Sequence, residues 1–192
     1  MLSNCAYPRH LAAAIFTTVI AVGSPAEAEI TKFMRVCGGE LCPYFRASVV
    51  VPQGWQEDEA SSREMNVQIM VPKGRTFGNA GAIIYTTVKF NRDNTPIATL
   101  VAEDNANWRK KSRDVKIEHL PDVARATGQE PFLQYRFAMP SRKAQPFERV
   151  ATTGDVDKDG NTFLVGIVLI ATSTKALKVA EPAYLAILNG YK

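Results

Sequence analysis

The sequence predicts an α+β fold in which an antiparallel central sheet is covered by helices on both faces. Residues 162–172 are apolar at odd and at even positions, and a strand that is apolar on both faces is normally covered on both. Apolar residues also recur at helical spacing after Pro96 and again over residues 177–188, so two helices are available as covers.

The first half of the chain contains three predicted strands. Residues 44–51 are rich in aromatic and β-branched side chains, which favour strands, and a Pro-Gln-Gly-Trp turn ends the segment. A polar loop is predicted over residues 56–64. Two further strands are predicted at residues 67–71 and 82–90, the former closed by a Pro-Lys-Gly turn.

The first predicted helix begins at Pro96. Asn94 or Thr95 can cap it, and proline is well suited to a first helical position because it has no N–H to leave unpaired. Strands follow at residues 115–117 and 132–139. The apolar face of the helix consists of Ile97, Leu100, Val101 and Trp108.

The chain closes with a hairpin and a second long helix. Strands at residues 148–153 and 162–172 pair across the turn residues 154–161. The helix carries apolar residues over 177–188, Pro182 is expected to kink or restart it, and Gly190 to end it.

Residues 1–28 have the pattern of a secretory signal peptide. Arg9 precedes an apolar segment at residues 11–23, and an Ala-Glu-Ala sequence then predicts cleavage before Glu29. A membrane anchor is disfavoured because a span needs about 20 apolar residues. We expect a periplasmic protein of bacterial type, with full secretion as the alternative.

The expected mature chain, residues 29–192, has the length of a single domain. The net charge of +4 is unchanged by cleavage, because the signal contains one basic and one acidic residue, Arg9 and Glu27. This charge is too small to indicate nucleic-acid binding, although it favours acidic partners. No second apolar run is long enough to span a membrane.

Two cysteines, Cys37 and Cys42, stay in the mature chain. Cysteines this close in an oxidising compartment normally pair, so a structural disulfide is predicted. A redox pair would usually have two intervening residues instead of four, and zinc would need further Cys or His ligands. The mature chain offers one histidine, His119.

The order of elements resembles the PsbP/DcrB-like superfamily, in which an antiparallel sheet lies between helices. The likeness is carried by Val-Pro-Gln-Gly-Trp at residues 51–55, Asp-Gly-Asn at residues 159–161 and the closing segment 181–191. The cysteine loop and the polar segment 56–64 depart from that pattern. The resemblance implies an assembly, adaptor or binding role and supplies no catalytic residues or cofactor.

Residues 155–161 match the first half of a calcium-binding loop through Asp155, Asp157 and Asp159. The twelfth position, where a bidentate Glu is needed, is Gly166. A hairpin turn is therefore favoured over a metal site, because Asp, Gly and Asn are also the residues that turns prefer.

Two further features of the sequence, a group of residues and a single histidine, each have a functional and a structural interpretation. One is a possible partner patch at the end of the first predicted helix, which is also the place where cations suit the helix dipole. The other is His119, either a general base or a surface residue. The patch consists of Trp108, Arg109, Lys110, Lys111 and Arg113.

The sequence thus favours a non-catalytic periplasmic binding or accessory protein, with a protein-interaction, envelope-assembly or chaperone-like role, no cofactor and an unknown envelope protein as partner. The alternative is a small hydrolase or lyase that uses His119 with carboxylates. A structure separates the two, because catalysis requires these groups to converge in a pocket.

Overall fold

The computed structural model describes residues 28–126, 128–143 and 147–191. The predicted signal peptide falls outside these residues except for Ala28. Within the described part of the chain, no helix combines the length and apolarity needed to cross a bilayer.

Nine strands and three helices are present in the described residues, in an α+β arrangement. The strands are β1 Glu29–Cys37, β2 Glu40–Ser48, β3 Trp55–Glu57, β4 Ile69–Pro72, β5 Ala82–Phe90, β6 Lys116–Val123, β7 Phe132–Ala138, β8 Phe147–Val156 and β9 Thr162–Ala171. The helices are α1 Glu59–Met65, α2 Ile97–Lys111 and α3 Thr174–Gly190.

Seven strands form one antiparallel sheet in the order β3-β4-β5-β9-β8-β7-β6. The predicted β8–β9 hairpin is confirmed, with Val156 opposite Thr162 at its closed end. β9 lies at the centre of the sheet and is buried along nearly its whole length, as its uninterrupted apolar sequence requires.

Strands β1 and β2 form a separate hairpin that packs on the main sheet through its open end. The Thr86 hydroxyl donates to the Ala47 carbonyl at 2.6 Å, and the Gln68 side chain bonds both the N–H and the C=O of Val49. Buried Gln68 thus satisfies backbone groups that follow β2 and would otherwise be unpaired.

The main core fills one face of the sheet. The odd-numbered residues of β9 pack there against α3, whose buried positions recur at helical spacing and include Leu177, Tyr184 and Leu188. Phe45 of the hairpin contacts the same core at a ring-centroid distance of 4.7 Å from Phe163. Pro182 lies inside α3, which continues through it to Gly190.

The predicted sandwich, with helices covering both faces of the sheet, is wrong. Helix α3 shares the first face with the β1–β2 hairpin, while α1 has only seven residues and contacts β4. The second face meets α2 over part of its width and a loop containing Phe77 over another part. A strand that is apolar on both sides demands cover but does not specify that the cover is helical.

Candidate functional site

A cleft of about 220 Å³ lies between α2 and the second face of the sheet. Its floor follows the strand register. Tyr85, Val168, Val150 and Tyr135 form one row across β5, β9, β8 and β7, because directly paired residues point to the same face. The next row places Glu148 between Ile170 and Phe137.

Helix α2 forms the roof of the cleft. Val101, Asn105 and Trp108 recur at spacings of four and three, so they share one side of the helix and face the sheet together with Asp104. Val101 and Asn105 are buried. The Trp108 ring contacts Phe137 at a centroid distance of 5.9 Å, which fixes the C-terminal part of α2 over the floor.

Glu148 is the chemically distinctive residue of the cleft. Glu148 is 6% exposed, and its carboxyl oxygens, which have neither a hydrogen-bond nor an ion-pair partner among the described residues, are not fully enclosed. Burial raises the pKa of Glu148 above its ordinary value near 4.5, and the positive charge of Arg142 opposes this rise in part. Burial of a carboxyl group without a partner is costly, and an acidic residue in a cleft whose pKa is shifted by burial is a candidate for a functional site.

Tyr85 lies close enough to Glu148 for the two groups to influence each other. Burial raises the pKa of the Tyr85 phenol, the negative charge of Glu148 raises it further, and Arg142 lowers it. The phenol is therefore a neutral hydrogen-bond donor at neutral pH. A carboxyl group and a phenol can together orient a polar group that enters the cleft.

A larger cavity, of about 510 Å³, opens near the N-terminus of α2, and the charged groups in its lining are only partly engaged. The Arg125 side chain is 1% exposed, donates to the Gly154 carbonyl at 2.9 Å and stacks over the ring of Tyr191. The Tyr191 hydroxyl donates to Asp155 at 2.6 Å. These contacts hold β8 against Tyr191, although Nε and Nη2 of the Arg125 guanidinium make no hydrogen bond. The cleft under α2 differs in that a buried acidic residue, Glu148, belongs to its lining.

The three aspartates of the calcium-like sequence do not converge. Asp155 turns toward Tyr191, whereas Asp157 accepts hydrogen bonds from the Asn161 side chain and from the backbone N–H of Asp159. These bonds lower the pKa of Asp157, the Asn161 side chain having the largest effect. No group of three potential metal-ligating side chains occurs among the described residues.

In the structure, the aromatic residue of the predicted partner patch is separated from its cations. Trp108 is half-buried in the cleft wall, and Arg142 lies over its ring at 5.4 Å from the ring centroid. The cations are exposed around the C-terminus of α2, where they also suit the helix dipole. Those exposed cations are Arg109, Lys110, Lys111 and Arg113.

His119 lies at the far edge of the cleft-bearing face. Its side chain is 54% exposed, pairs with Asp122 at 3.0 Å and contacts the Tyr135 ring at a centroid distance of 4.9 Å. The adjacent Glu118 is paired with Arg136 instead. The structure therefore gives His119 one carboxylate neighbour at the surface and does not bring it to Glu148.

The predicted disulfide stays a prediction, because the side chain of Cys37 lies outside the described atoms. The backbone register pairs Cys37 with Glu40 and Arg35 with Cys42. Cys37 and Cys42 consequently occupy diagonal positions in the backbone register of the hairpin. Gly38 and Gly39 form the two-residue turn with positive φ angles of 60° and 93°, which glycine adopts without strain.

Glu148 was not singled out by the sequence analysis, although a signal for it exists. Residues 148, 150 and 152 alternate along β8, so the side chain of Glu148 shares a face with Val150 and Thr152. A charged residue at the first position of such an apolar face is unusual. Comparison of the chain with protein-family models and with curated proteins found no match.

Proposed function

We propose that this chain is a non-catalytic binding or accessory protein of the bacterial periplasm, and that it engages an envelope protein through the cleft beneath α2. The cleft carries the proposal. It is formed by aromatic and aliphatic side chains around a few polar groups, the composition typical of binding sites. Its buried carboxyl group, Glu148, gains a partner when the cleft is filled.

The arrangement supports binding better than hydrolysis. A catalytic base must lie within hydrogen-bond reach of the group that it deprotonates, and a nucleophile must lie beside that base. His119 is exposed and paired with Asp122, and the described residues place no hydroxyl or thiol nucleophile in hydrogen-bond contact with it. Glu148 and Tyr85 supply a polar anchor, which a binding site needs as well.

Site-specific photo-crosslinking in cells that export the protein tests this proposal. A photoreactive amino acid replaces Asp104, which lies at the rim of the cleft. The matched control replaces Ala106, which is exposed two residues further along α2 and so faces about 200° away around the helix. We expect a covalent adduct with an envelope protein from position 104 and none from position 106.

Two results contradict the proposal. Equal adducts at both positions would indicate nonspecific contact with α2. The absence of any adduct at position 104, in protein that is exported and folded, would show that the cleft engages no envelope protein.

A further inference from the structure

The lining of the cleft combines aromatic rings with carboxyl groups. It includes two carboxyl groups, buried Glu148 and exposed Asp104, and no described Lys or Arg. Aromatic faces carry partial negative charge and attract cations, most strongly where water is displaced. The four rings of the lining belong to Tyr85, Trp108, Tyr135 and Phe137.

We propose that the cleft beneath α2 binds an organic ammonium ion, with the carboxylate of Glu148 as its counter-ion and the surrounding rings as its walls. This inference rests on the proposed function and names the chemical group that enters the site. The group is either the side chain of a lysine on a protein partner or the headgroup of a small amine.

Charge complementarity favours an ammonium ion over neutral or anionic groups. A buried carboxylate without a partner is unfavourable, and a cation that enters the cleft removes that cost while it gains a direct ion pair. An anion would lie against Glu148 and Asp104 without a lining cation to offset them. A neutral apolar group would leave the carboxyl group without a partner.

The volume of the cleft limits the part of a ligand that can enter it to a single small chemical group. Sites for drug-sized ligands usually measure about 300–1,000 Å³. The volume of about 220 Å³ is below this range. A single alkylammonium or trimethylammonium group therefore fits better than an extended peptide or a sugar chain.

Arg142 shows that this region already accommodates a cation on an aromatic ring. Its guanidinium carbon lies 5.4 Å from the centroid of the Trp108 ring, and its charge lowers the pKa of Glu148 in part. The Arg142 side chain is exposed, so it lies outside the buried part of the cleft. Its charge opposes an entering ammonium ion, and its removal should strengthen binding.

Calorimetric titration of the mature protein with matched probes tests the inference. The probes are choline, its neutral isostere 3,3-dimethylbutan-1-ol, and N-acetyl-lysine methylamide as a lysine side chain. We expect choline or the lysine derivative to bind at least about tenfold more tightly than the neutral isostere, since an ion pair is lost in the latter.

Two variants locate the binding. Glu148→Gln keeps the shape of the side chain and removes its charge, so it should weaken ammonium binding by at least about tenfold. Arg142→Gln should increase the affinity, because it removes the positive charge that opposes an entering ammonium ion. In the unmodified protein the affinity should also rise as the pH rises above 4.5 and Glu148 ionises. Glu148→Gln should abolish most of this pH dependence. The other titratable or charged residues around Glu148 are Tyr85 from β5, Tyr135 from β7, Asp104 from α2 and Arg142.

The outcomes separate the sources of the ammonium group. Binding of the lysine derivative alone identifies a protein side chain, and binding of choline alone identifies a quaternary headgroup; both support the inference. Equal binding of the neutral isostere, binding unaffected by Glu148→Gln, or no binding by either ammonium probe overturns it. If crosslinking from position 104 persists in that case, the cleft is still a binding site and only the ammonium chemistry is wrong.

Discussion

Replacement of Glu148 by Gln should make the protein more stable at neutral pH and leave its stability nearly unchanged at pH 4. Glu148 is 6% exposed, and its carboxyl group has no hydrogen-bond or ion-pair partner among the described residues, so its ionisation in the folded protein is unfavourable. Most substitutions of buried residues destabilise a protein, which makes a gain in stability a demanding test.

The sign follows from proton linkage. Burial raises the pKa of Glu148 above 4.5 in the folded protein, so the folded state binds this proton more tightly than the unfolded state does. The stabilising contribution of Glu148 is fully present below pH 4.5 and is lost as the pH rises through the folded pKa. Glutamine does not titrate, so the variant avoids that loss.

The size of the effect follows from the same linkage. Each unit by which the folded pKa exceeds the unfolded pKa corresponds to about 1.4 kcal/mol lost at high pH. For a chain of this length, 1 kcal/mol shifts the melting temperature by about 2–4 °C. We therefore expect Glu148→Gln to raise the melting temperature at pH 8, by about 2–4 °C for each 1 kcal/mol that ionisation costs the unmodified protein.

The assay is thermal unfolding followed by circular dichroism at pH 4 and pH 8. Glu103→Gln, the same substitution at an exposed position of α2, is the control and should change stability by less than about 0.5 kcal/mol at both pH values. Four neighbours of Glu148 carry ionisable groups, namely Tyr85, Tyr135, Asp104 and Arg142. A Glu148→Gln effect that is equal at both pH values, or absent at pH 8, would refute the reasoning.

Three other predictions concern processing, the hairpin and the turn. Intact-mass analysis of periplasmic protein should show a chain that begins at or near Glu29, and retention of residues 1–28 would contradict export. Replacement of both Cys37 and Cys42 by Ser should lower the free energy of unfolding by about 2 kcal/mol in denaturant titrations, because a short loop is no longer closed; an unchanged value would argue against a structural disulfide. Millimolar calcium should leave the melting temperature unchanged, since the oxygens of Asp157 already accept hydrogen bonds from its own turn; a calcium-dependent rise that Asp157→Ala abolishes would show that the turn binds metal.

The elements with strong local patterns could be predicted closely. Strand β5 occupies residues Ala82–Phe90, the range given by its β-branched sequence. Helix α2 begins one residue later than predicted, with Pro96 as its N-cap, and the predicted cap by Asn94 or Thr95 is wrong because no side chain caps the helix. The long strands β7 and β9 also match their predicted ranges to within one residue. In each case the residue types and their period act within a few positions of one another.

Elements with weak local patterns were missed. Strand β1 alternates poorly and contains charged residues, yet it forms because its whole length pairs with β2. Helix α1 lies in the segment predicted as a polar loop. A sequence signal for this helix was present, because aspartate is one of the residues that favour the N-cap position. In the structure the Asp58 side chain accepts a hydrogen bond from the backbone N–H of Ser61 and caps the helix.

The sequence by itself determined the identity of most strands and both long helices, because hydrophobic periodicity is a property of neighbouring residues. Only the tertiary structure decided what covers the sheet and where the candidate site lies. Glu148, Tyr85 and Trp108 are far apart in the chain, and the strand register with the position of α2 brings them to one cleft. Register and helix placement depend on packing between distant segments, which no local pattern of residues encodes.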